Sequence, residues 1–304
     1  SIQKVTEEIV LKLLRNISQK TKEKNLCMAG GVALNCVVNG MIYKEKLFEN
    51  IWIQPASGDA GAALGAALSV FYLNYLKKRK TLSNTDSMKG SLLGPNFKND
   101  DIRSDLDFLK AKYFFLKRDN LIDFVVKEII SEKAIGWMQG KMEFGPRSLG
   151  NRSIIADPRS PIMQKKLNLK IKKRESFRPF APSILLEDTK EWFEFNFESP
   201  YMMFVADLDK SKKIDCNFEE NNISGFEKLN SNNSLIPSVT HVDYSARIQT
   251  VHEETNKMYY KLIKKFKEKT NCPVIVNTSF NVRGEPIVCS PKDAFRCFMG
   301  TNLD

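Results

Sequence analysis

Histidine is nearly absent. Only His241 and His252 occur in 304 residues, and neither stands at a spacing from cysteine that would build a zinc site. The six cysteines, at 27, 36, 216, 272, 289 and 297, include no C-x-x-C pair, so reduced thiols in a cytosolic protein are expected rather than a disulfide framework. No apolar run reaches the 18 or so residues of a membrane span. The nearest, "GAALGAALSVFYLNYLKK", is interrupted by Asn74 and preceded by Asp59, and reads as a buried helix whose small residues permit close packing. The start at Ser1 shows neither an initiator methionine nor a signal peptide, which reads as a piece of something longer. G-x-S-x-G, H-E-x-x-H and Walker A patterns are missing too, and those reaction classes lose support.

What is present is the material of a folded domain: 42% hydrophobic and 10% aromatic residues, in a chain long enough for two ordinary domains or one large one. The net charge of +11, from 47 basic and 36 acidic residues, is compatible with nucleic acid, an anionic membrane surface or a phosphate-bearing small molecule. Charge alone does not choose among them, because runs such as "LKKRK" and "LIKKFKEK" read as solvated faces of surface helices.

Val5, Ile9, Val10, Leu13, Leu14 and Ile17 recur at helical spacing and predict an amphipathic helix with one buried face. "NLCMAGGVALN" and "NIWIQPASGDAGAALGAAL" each read as strand, glycine turn and helix, which is an α/β pattern. Residues 77 to about 112 lose periodicity and gain polar, Gly and Pro residues, so a boundary is placed near 110. Beyond it, Leu121, Phe124, Val125 and Ile129 mark a helix, residues 134–138 a strand, and 161–171 a second helix. "SILL" and "CPVIV" suit strands, 251–268 a helix, and 207–235 an insertion or mobile loop. The last helix is signalled by Ser290 as N-cap, Pro291 at its first position and Asp293 near its positive end.

Six stretches carry polar chemistry. In "AGGVALN", Gly30 and Gly31 let backbone N–H groups approach a phosphate, and Asp59 in "SGDAGAALG" is placed to hold a metal or a ribose hydroxyl; the alternative is glycine serving tight packing alone. "KMEFGPRSLGNRSIIADPR" sets Lys141, Arg147, Arg152 and Arg159 on a loop shaped by Gly140, Gly145, Pro146 and Gly150, where guanidinium forks can converge on one anion. "NLKIKKRESFRPFAPSIL" adds Lys172, Lys173, Arg174 and Arg178, although Glu143, Asp157 and Glu175 are available to pair with some of these cations. "PSVTHVDYSARIQTV" puts His241, Asp243 and Arg247 within seven residues, where a structural histidine competes with a catalytic one. In "CPVIVNTSFNVRGEPIV" a strand ends in Asn277, Thr278, Ser279 and Asn281, groups suited to phosphate and ribose oxygens; a polar turn closed by Gly284 is the competing reading, strongest for Asn281.

Taken together, "GGVALNCVVNG", "PASGDAGAALGAAL", "GKMEFGPRSLGNRSIIADPR", "KKRESFRPFAPSIL", "SPYMMF", "PSVTHVDYSARIQTV" and "NTSFNVRGEPIVCSPKDAFRCF" closely resemble the O-carbamoyltransferase family of nodulation-factor and antibiotic biosynthesis. The resemblance runs from about residue 25 to the C-terminus. It implies an α/β chain in which a partial ASKHA (actin-like ATPase) region, 1–110 with its linker, precedes a YrdC-like domain with a twisted mixed sheet, 111–304. It further implies that carbamoyl phosphate and ATP with Mg2+ yield carbamoyl-adenylate, whose carbamoyl group passes to the hydroxyl of a small acceptor beside a divalent metal such as Fe2+.

Carried over residue by residue, His241, Arg247 and Arg147 would be catalytic. Lys141, Arg152, Lys173, Arg174, Arg178, Asn277, Thr278, Ser279, Asn281, Gly30, Gly31 and Asn35 would bind substrate or nucleotide, and Asp59 would hold metal. Arg159 reads as a structural partner of Asp157 or a surface charge. The family's H-x-x-x-H metal ligands have no counterpart here, and the chain stops at "MGTNLD" a few residues early, so the transfer site is expected to be incomplete. A cytoplasmic protein is expected, without nucleic acid or membrane, and a homodimer is compatible with the sequence. Two rivals remain: a threonylcarbamoyl-adenylate synthase acting for tRNA, and a non-catalytic RNA-binding module using the same basic face.

Overall fold

The computed structural model describes residues 1–79, 86–214 and 233–304. The expected loop at 207–235 and Cys216 fall largely or wholly outside these residues.

The opening helix α1 (Ile2–Thr21) is followed by β1 (Asn25–Met28), α2 (Cys36–Glu45), β2 (Asn50–Ile53) and α3 (Asp59–Ser69). The two strand–turn–helix units form as the α/β pattern predicts, and the structure adds that β1 and β2 pair in parallel, joined by a crossover through α2. The buried face of α1 is narrower than its periodicity suggests. Leu11 and Leu14 pack with Val38, Ile42 and Phe48, whereas Ile2, Val5, Ile9, Leu13 and Ile17 are exposed. The burial expected for the "GAALGAAL" helix is corrected as well: no residue of α3 is buried, although Leu64 packs, partly covered, against the core.

The stretch 77–112 is not structureless, since α4 (Asn99–Phe108) forms within it; Ile102 and Leu106 supply an apolar edge four residues apart that its acidic surroundings disguise. α5 (Arg118–Ile130) and β3 (Ile135–Met138) follow as read, then β4 (Arg152–Ala156). The next helix is short: α6 (Met163–Lys166) passes directly into a π-helical turn, Leu167–Lys172. Then come β5 (Ala181–Leu185), α7 (Thr189–Trp192), β6 (Phe204–Asp207), β7 (Ser245–Val251), α8 (Lys257–Thr270), β8 (Val274–Ser279) and α9 (Pro291–Met299). The capping box of α9 is present: Asp293 N–H donates to Ser290 Oγ at 3.2 Å, and Ser290 N–H to Asp293 Oδ2 at 2.9 Å.

Six strands form one mixed sheet in the order β3-β4-β8-β5-β7-β6, with only β5 and β7 parallel. The apolar strand residues of β8, Val274, Ile275 and Val276, are fully buried at its centre beside Ile154, Ile155 and Ile184. α2 crosses onto β6, where a Cβ on Gly40 would stand 2.4 Å from the Val205 carbonyl oxygen; only glycine permits this approach. Asn39 donates to the carbonyls of Ala33 and Met203, each at 2.9 Å, and so ties the first unit to the sheet. The five described cysteines are all free, and no helix among the described residues is long and apolar enough to cross a membrane.

Candidate anion-binding site

The central strand β8 ends at the functional face. Its register against β4 and β5 (Ser153 opposite Ser279, Ala181 opposite Asn277) brings Asn277, Thr278 and Ser279 to the mouth of a cavity of about 420 Å³. β7 delivers Arg247, the turn before it His241, the loop after β3 Arg147 and Ser148, and the segment before β5 Arg174 and Arg178. From the first unit comes Cys36, at the N-terminus of α2. An adjoining lobe of about 230 Å³ shares Arg174, Arg178 and Ser279 and adds Lys172, Asn281 and Arg283.

The loop carrying Arg147 is held from within. Glu143 is buried, and its Oε1 accepts from the backbone N–H groups of Leu149 (2.6 Å), Asn151 (2.8 Å) and Arg152 (3.3 Å). Beneath it, Asn277 Nδ2 donates to Gln249 Oε1 at 2.9 Å and Ser183 Oγ at 3.1 Å, while Gln249 Nε2 donates to the Leu149 carbonyl at 2.9 Å. Asn277 therefore borders the cavity with its amide already engaged in the floor.

Four guanidinium groups, Arg147, Arg174, Arg178 and Arg247, border the main cavity, which no aspartate or glutamate lines. Among the described residues none of the four forms an ion pair with an acid. Arg147 donates weakly to the Leu34 carbonyl at 3.4 Å, and its Nε is buried without a partner. Arg174 donates from Nε to Asn168 Oδ1 at 2.7 Å and lies over the Phe180 ring. Burial, then the neighbouring Arg147, brings Arg247 down to about 10; burial, then Arg178, lowers Arg174. Arg147, Arg174 and Arg247 are half-buried and Arg178 is exposed. Glu175, on the adjoining lobe, acts on Arg174 but pairs with none of the four, and cations that crowd and repel one another in this way are what a bound anion would stabilise.

The structure brings His241, Arg247, Arg147, Arg174, Arg178, Asn277, Thr278 and Ser279 together, with Asn281 on the adjoining lobe. It does not bring the others there. Arg152 is a correction: it is fully buried, and its guanidinium donates to the carbonyls of Asn151 (2.9 Å), Gln139 (3.0 Å), Gly140 (3.2 Å), Cys289 (3.2 Å) and Pro95 (3.3 Å). A fully buried side chain so occupied holds the loop and borders neither lobe of the cavity. Lys141 is exposed and borders neither lobe.

Lys173 is exposed at a left-handed C-cap, and the neighbouring lysine takes the position expected of it. Lys172 is buried, with Nζ donating to Asn281 Oδ1 (2.9 Å), the Asn281 carbonyl (3.0 Å), Ser279 Oγ (3.2 Å) and the Ser279 carbonyl. Burial, reinforced by Arg174, drops its amine to about 7. The signal for this residue lies in spacing: Lys172 stands four positions after the buried Asn168, on the face that Leu167 and Ile171 also bury. Arg159 pairs with Asp157 through Nε at 2.9 Å and a terminal nitrogen at 2.6 Å, and stacks on Phe266.

Gly30, Gly31 and Asn35 lie near the cavity without bordering it. Gly30 takes φ +99 and donates to the Ser57 carbonyl, a Cβ on either glycine would meet nothing within 4 Å, and Asn35 caps α2 through Val38 N–H at 3.2 Å. Asp59 is exposed at the start of α3, and the described residues gather no group of three His, Cys, Asp or Glu side chains. The metal role implied for Asp59 thus finds no co-ligands among the described residues.

His241 is tied to its surroundings by a directed chain. Asp243 Oδ1 accepts from Ser245 Oγ at 2.6 Å and from Ser245 N–H at 3.1 Å, and His241 Nδ1 lies 2.9 Å from the same Ser245 Oγ. Burial lowers the imidazole from its ordinary range; Asp243 opposes this and Arg247 adds to it.

A mixed α/β sheet whose central strand ends at an arginine-lined cavity without acids is an arrangement chemically suited to an anion. The chain belongs to the carbamoyltransferase family: the model of the carbamoyltransferase C-terminus matches residues 126–304, and that of the carbamoyltransferase N-terminus matches residues 1–68. Over its whole length it is 52% identical to an uncharacterized protein of Synechocystis sp., covering 50% of that protein, and 39% identical to nodulation protein NolO of Bradyrhizobium diazoefficiens, covering 52%. Over 88% of its length it is 29% identical to a 3'-hydroxymethylcephem-O-carbamoyltransferase of Amycolatopsis lactamdurans, covering 44% of that enzyme. The chain spans about half the length of these relatives.

Proposed function

We propose that this chain binds carbamoyl phosphate and ATP and forms carbamoyl-adenylate, the activated species from which a carbamoyltransferase acylates a hydroxyl of its acceptor. The observation that carries this reading is the acid-free cavity bordered by Arg147, Arg174, Arg178 and Arg247. It is supported by membership of the carbamoyltransferase family and by likeness to a relative named as an O-carbamoyltransferase.

The chemistry balances in two steps. Water cleaves carbamoyl phosphate to carbamate and inorganic phosphate; a carbamate oxygen then attacks the α-phosphorus of ATP and expels pyrophosphate. Both steps move negative charge among phosphate oxygens, which fixed cations in a part-desolvated cavity stabilise without reorganising. The main cavity suits the carbamoyl phosphate, and the adjoining lobe, with Lys172, Arg174, Arg283, Ser279 and Asn281, suits the ATP phosphates. The small volume of the cavity and the partly buried Arg147, Arg174 and Arg247 favour a small anion over an RNA strand, whose phosphates need an extended basic track. ASKHA and YrdC-like assignments for the two units agree with the parallel β1–β2 pair and the six-stranded mixed sheet. The final transfer would use residues beyond those that gather here, and the acceptor is a hydroxyl-bearing small molecule.

Pyrophosphate release from ATP, measured with and without carbamoyl phosphate, tests the reading on this chain and on Arg147→Ala. Release that requires carbamoyl phosphate and falls at least about tenfold in the variant is expected. ATP turnover indifferent to carbamoyl phosphate, or full activity in a folded variant, would sink it. Calorimetric titration with carbamoyl phosphate gives a second measurement that does not depend on turnover.

A further inference from the structure

The Asp243–Ser245–His241 chain fixes the direction of every proton in it. A carboxylate only accepts, so the hydroxyl proton of Ser245 points to Asp243 Oδ1 across 2.6 Å. With that proton committed, Ser245 Oγ is an acceptor toward the imidazole, and His241 Nδ1, 2.9 Å away, is the donor. The neutral ring therefore carries its proton on Nδ1, and Nε2 is bare. The turn is itself rigid: His241 N–H donates to the Ser245 carbonyl at 2.8 Å and Tyr244 N–H to the His241 carbonyl at 3.0 Å.

A bare imidazole nitrogen is out of keeping with its company. The cavity it borders is otherwise dominated by guanidinium donors, each suited to phosphate oxygen. Toward a phosphate oxygen, an unprotonated Nε2 would set lone pair against lone pair. Toward an amide N–H it is a good acceptor. A ligand that satisfies the whole cavity must then present negative oxygens to the arginines and an N–H to His241.

We propose that His241, oriented by Ser245 and Asp243, determines specificity by accepting a hydrogen bond from the amide of the carbamoyl group, so that carbamoyl phosphate is taken in preference to acyl phosphates ending in a methyl group. This rests on the carbamoyl phosphate reading above. The two ligands have nearly the same shape and the same phosphate, and the arginines cannot separate them. Discrimination requires a group that is left unpaired when the N–H is missing, which is the arrangement by which buried polar sites reject isosteres.

Two stable phosphonates supply the matched probes: phosphonoacetamide, with the amide NH2, and acetonylphosphonate, with methyl in its place. Calorimetric titration of this chain near pH 8 should show phosphonoacetamide bound about tenfold more tightly. His241→Ala should abolish that difference by weakening the amide ligand alone. Ser245→Ala, which keeps the imidazole but frees its tautomer, should narrow it. Arg147→Ala should weaken both probes alike. Equal binding of the two probes by the unaltered chain overturns the assignment, as does a preference that survives in His241→Ala with unchanged circular dichroism. If neither probe nor carbamoyl phosphate itself binds to the folded chain, the underlying reading fails with it. Binding of all three without discrimination removes only the role of His241.

Discussion

Lys172 Nζ lies 2.9 Å from Asn281 Oδ1 and 3.0 Å from the Asn281 carbonyl, joining the end of a π-helical turn to the loop after the central strand, 109 positions later. The ammonium replaces water with four fixed oxygens, but burial and Arg174 still drop its amine to about 7.

Such a lysine makes stability depend on pH. Its unfolded value is near 10.5 and its folded value near 7, so the unfolded chain binds more protons between those limits and stability rises with pH across them. The slope from this group approaches about 1.4 kcal/mol per pH unit in the middle of the window. Lys172→Met should remove that slope, while lowering stability where the ammonium is present because the Asn281 and Ser279 oxygens lose their donor. Urea midpoints of the two chains at pH 7, 8 and 9 check this; parallel curves would refute it.

Arg152 and Arg147, five residues apart, should behave oppositely. Arg152→Ala orphans up to five carbonyl acceptors around the loop and should cost about 3 kcal/mol or more. Arg147→Ala relieves repulsion with Arg247 and should leave stability within about 0.5 kcal/mol or raise it, while anion binding falls. Thermal unfolding of both variants, followed by phosphate titration of the folded one, separates the roles.

Gly40→Ala tests the seam between the first unit and the sheet. The added methyl would sit 2.4 Å from the Val205 carbonyl oxygen, a backbone atom that cannot swing aside. A loss of about 2–3 kcal/mol is expected, with weaker anion binding because Cys36 and the Leu34 contact of Arg147 move with α2. Equilibrium denaturation provides the number. An unchanged midpoint would show that the seam yields freely.

The His241 pair of states gives a pH signature. Its folded value lies below the ordinary imidazole range, so the unfolded chain takes up the proton first; the associated stability is present near neutrality and is lost as pH falls. Asp243 and Arg247 from its own segment, Arg147 from the loop after β3, Arg174 and Arg178 from the segment before β5, and Cys36 from α2 set the field it feels. Protonation converts Nε2 from acceptor to donor. The preference for phosphonoacetamide over acetonylphosphonate should therefore shrink on acidification while phosphate affinity increases, which titrations at pH 5 and pH 8 would register.

The sequence by itself determined the α/β alternation, the cap of α9 and the arginines that meet at one cavity. Each is written in local spacing: strand, glycine turn and helix in succession, Ser290 three residues before Asp293, and cations interleaved with Gly and Pro. Tertiary structure decided which basic residue does what, because a loop rich in arginine does not announce the direction of each side chain. Arg152 was turned inward by the carbonyls that surround it, and Lys172 was taken in place of Lys173 by a π-helical turn that rotates one of the pair into the sheet. It alone also decided the tautomer of His241. That depends on Ser245 and Asp243 closing a turn around the ring, so that the last proton in the chain can point only one way.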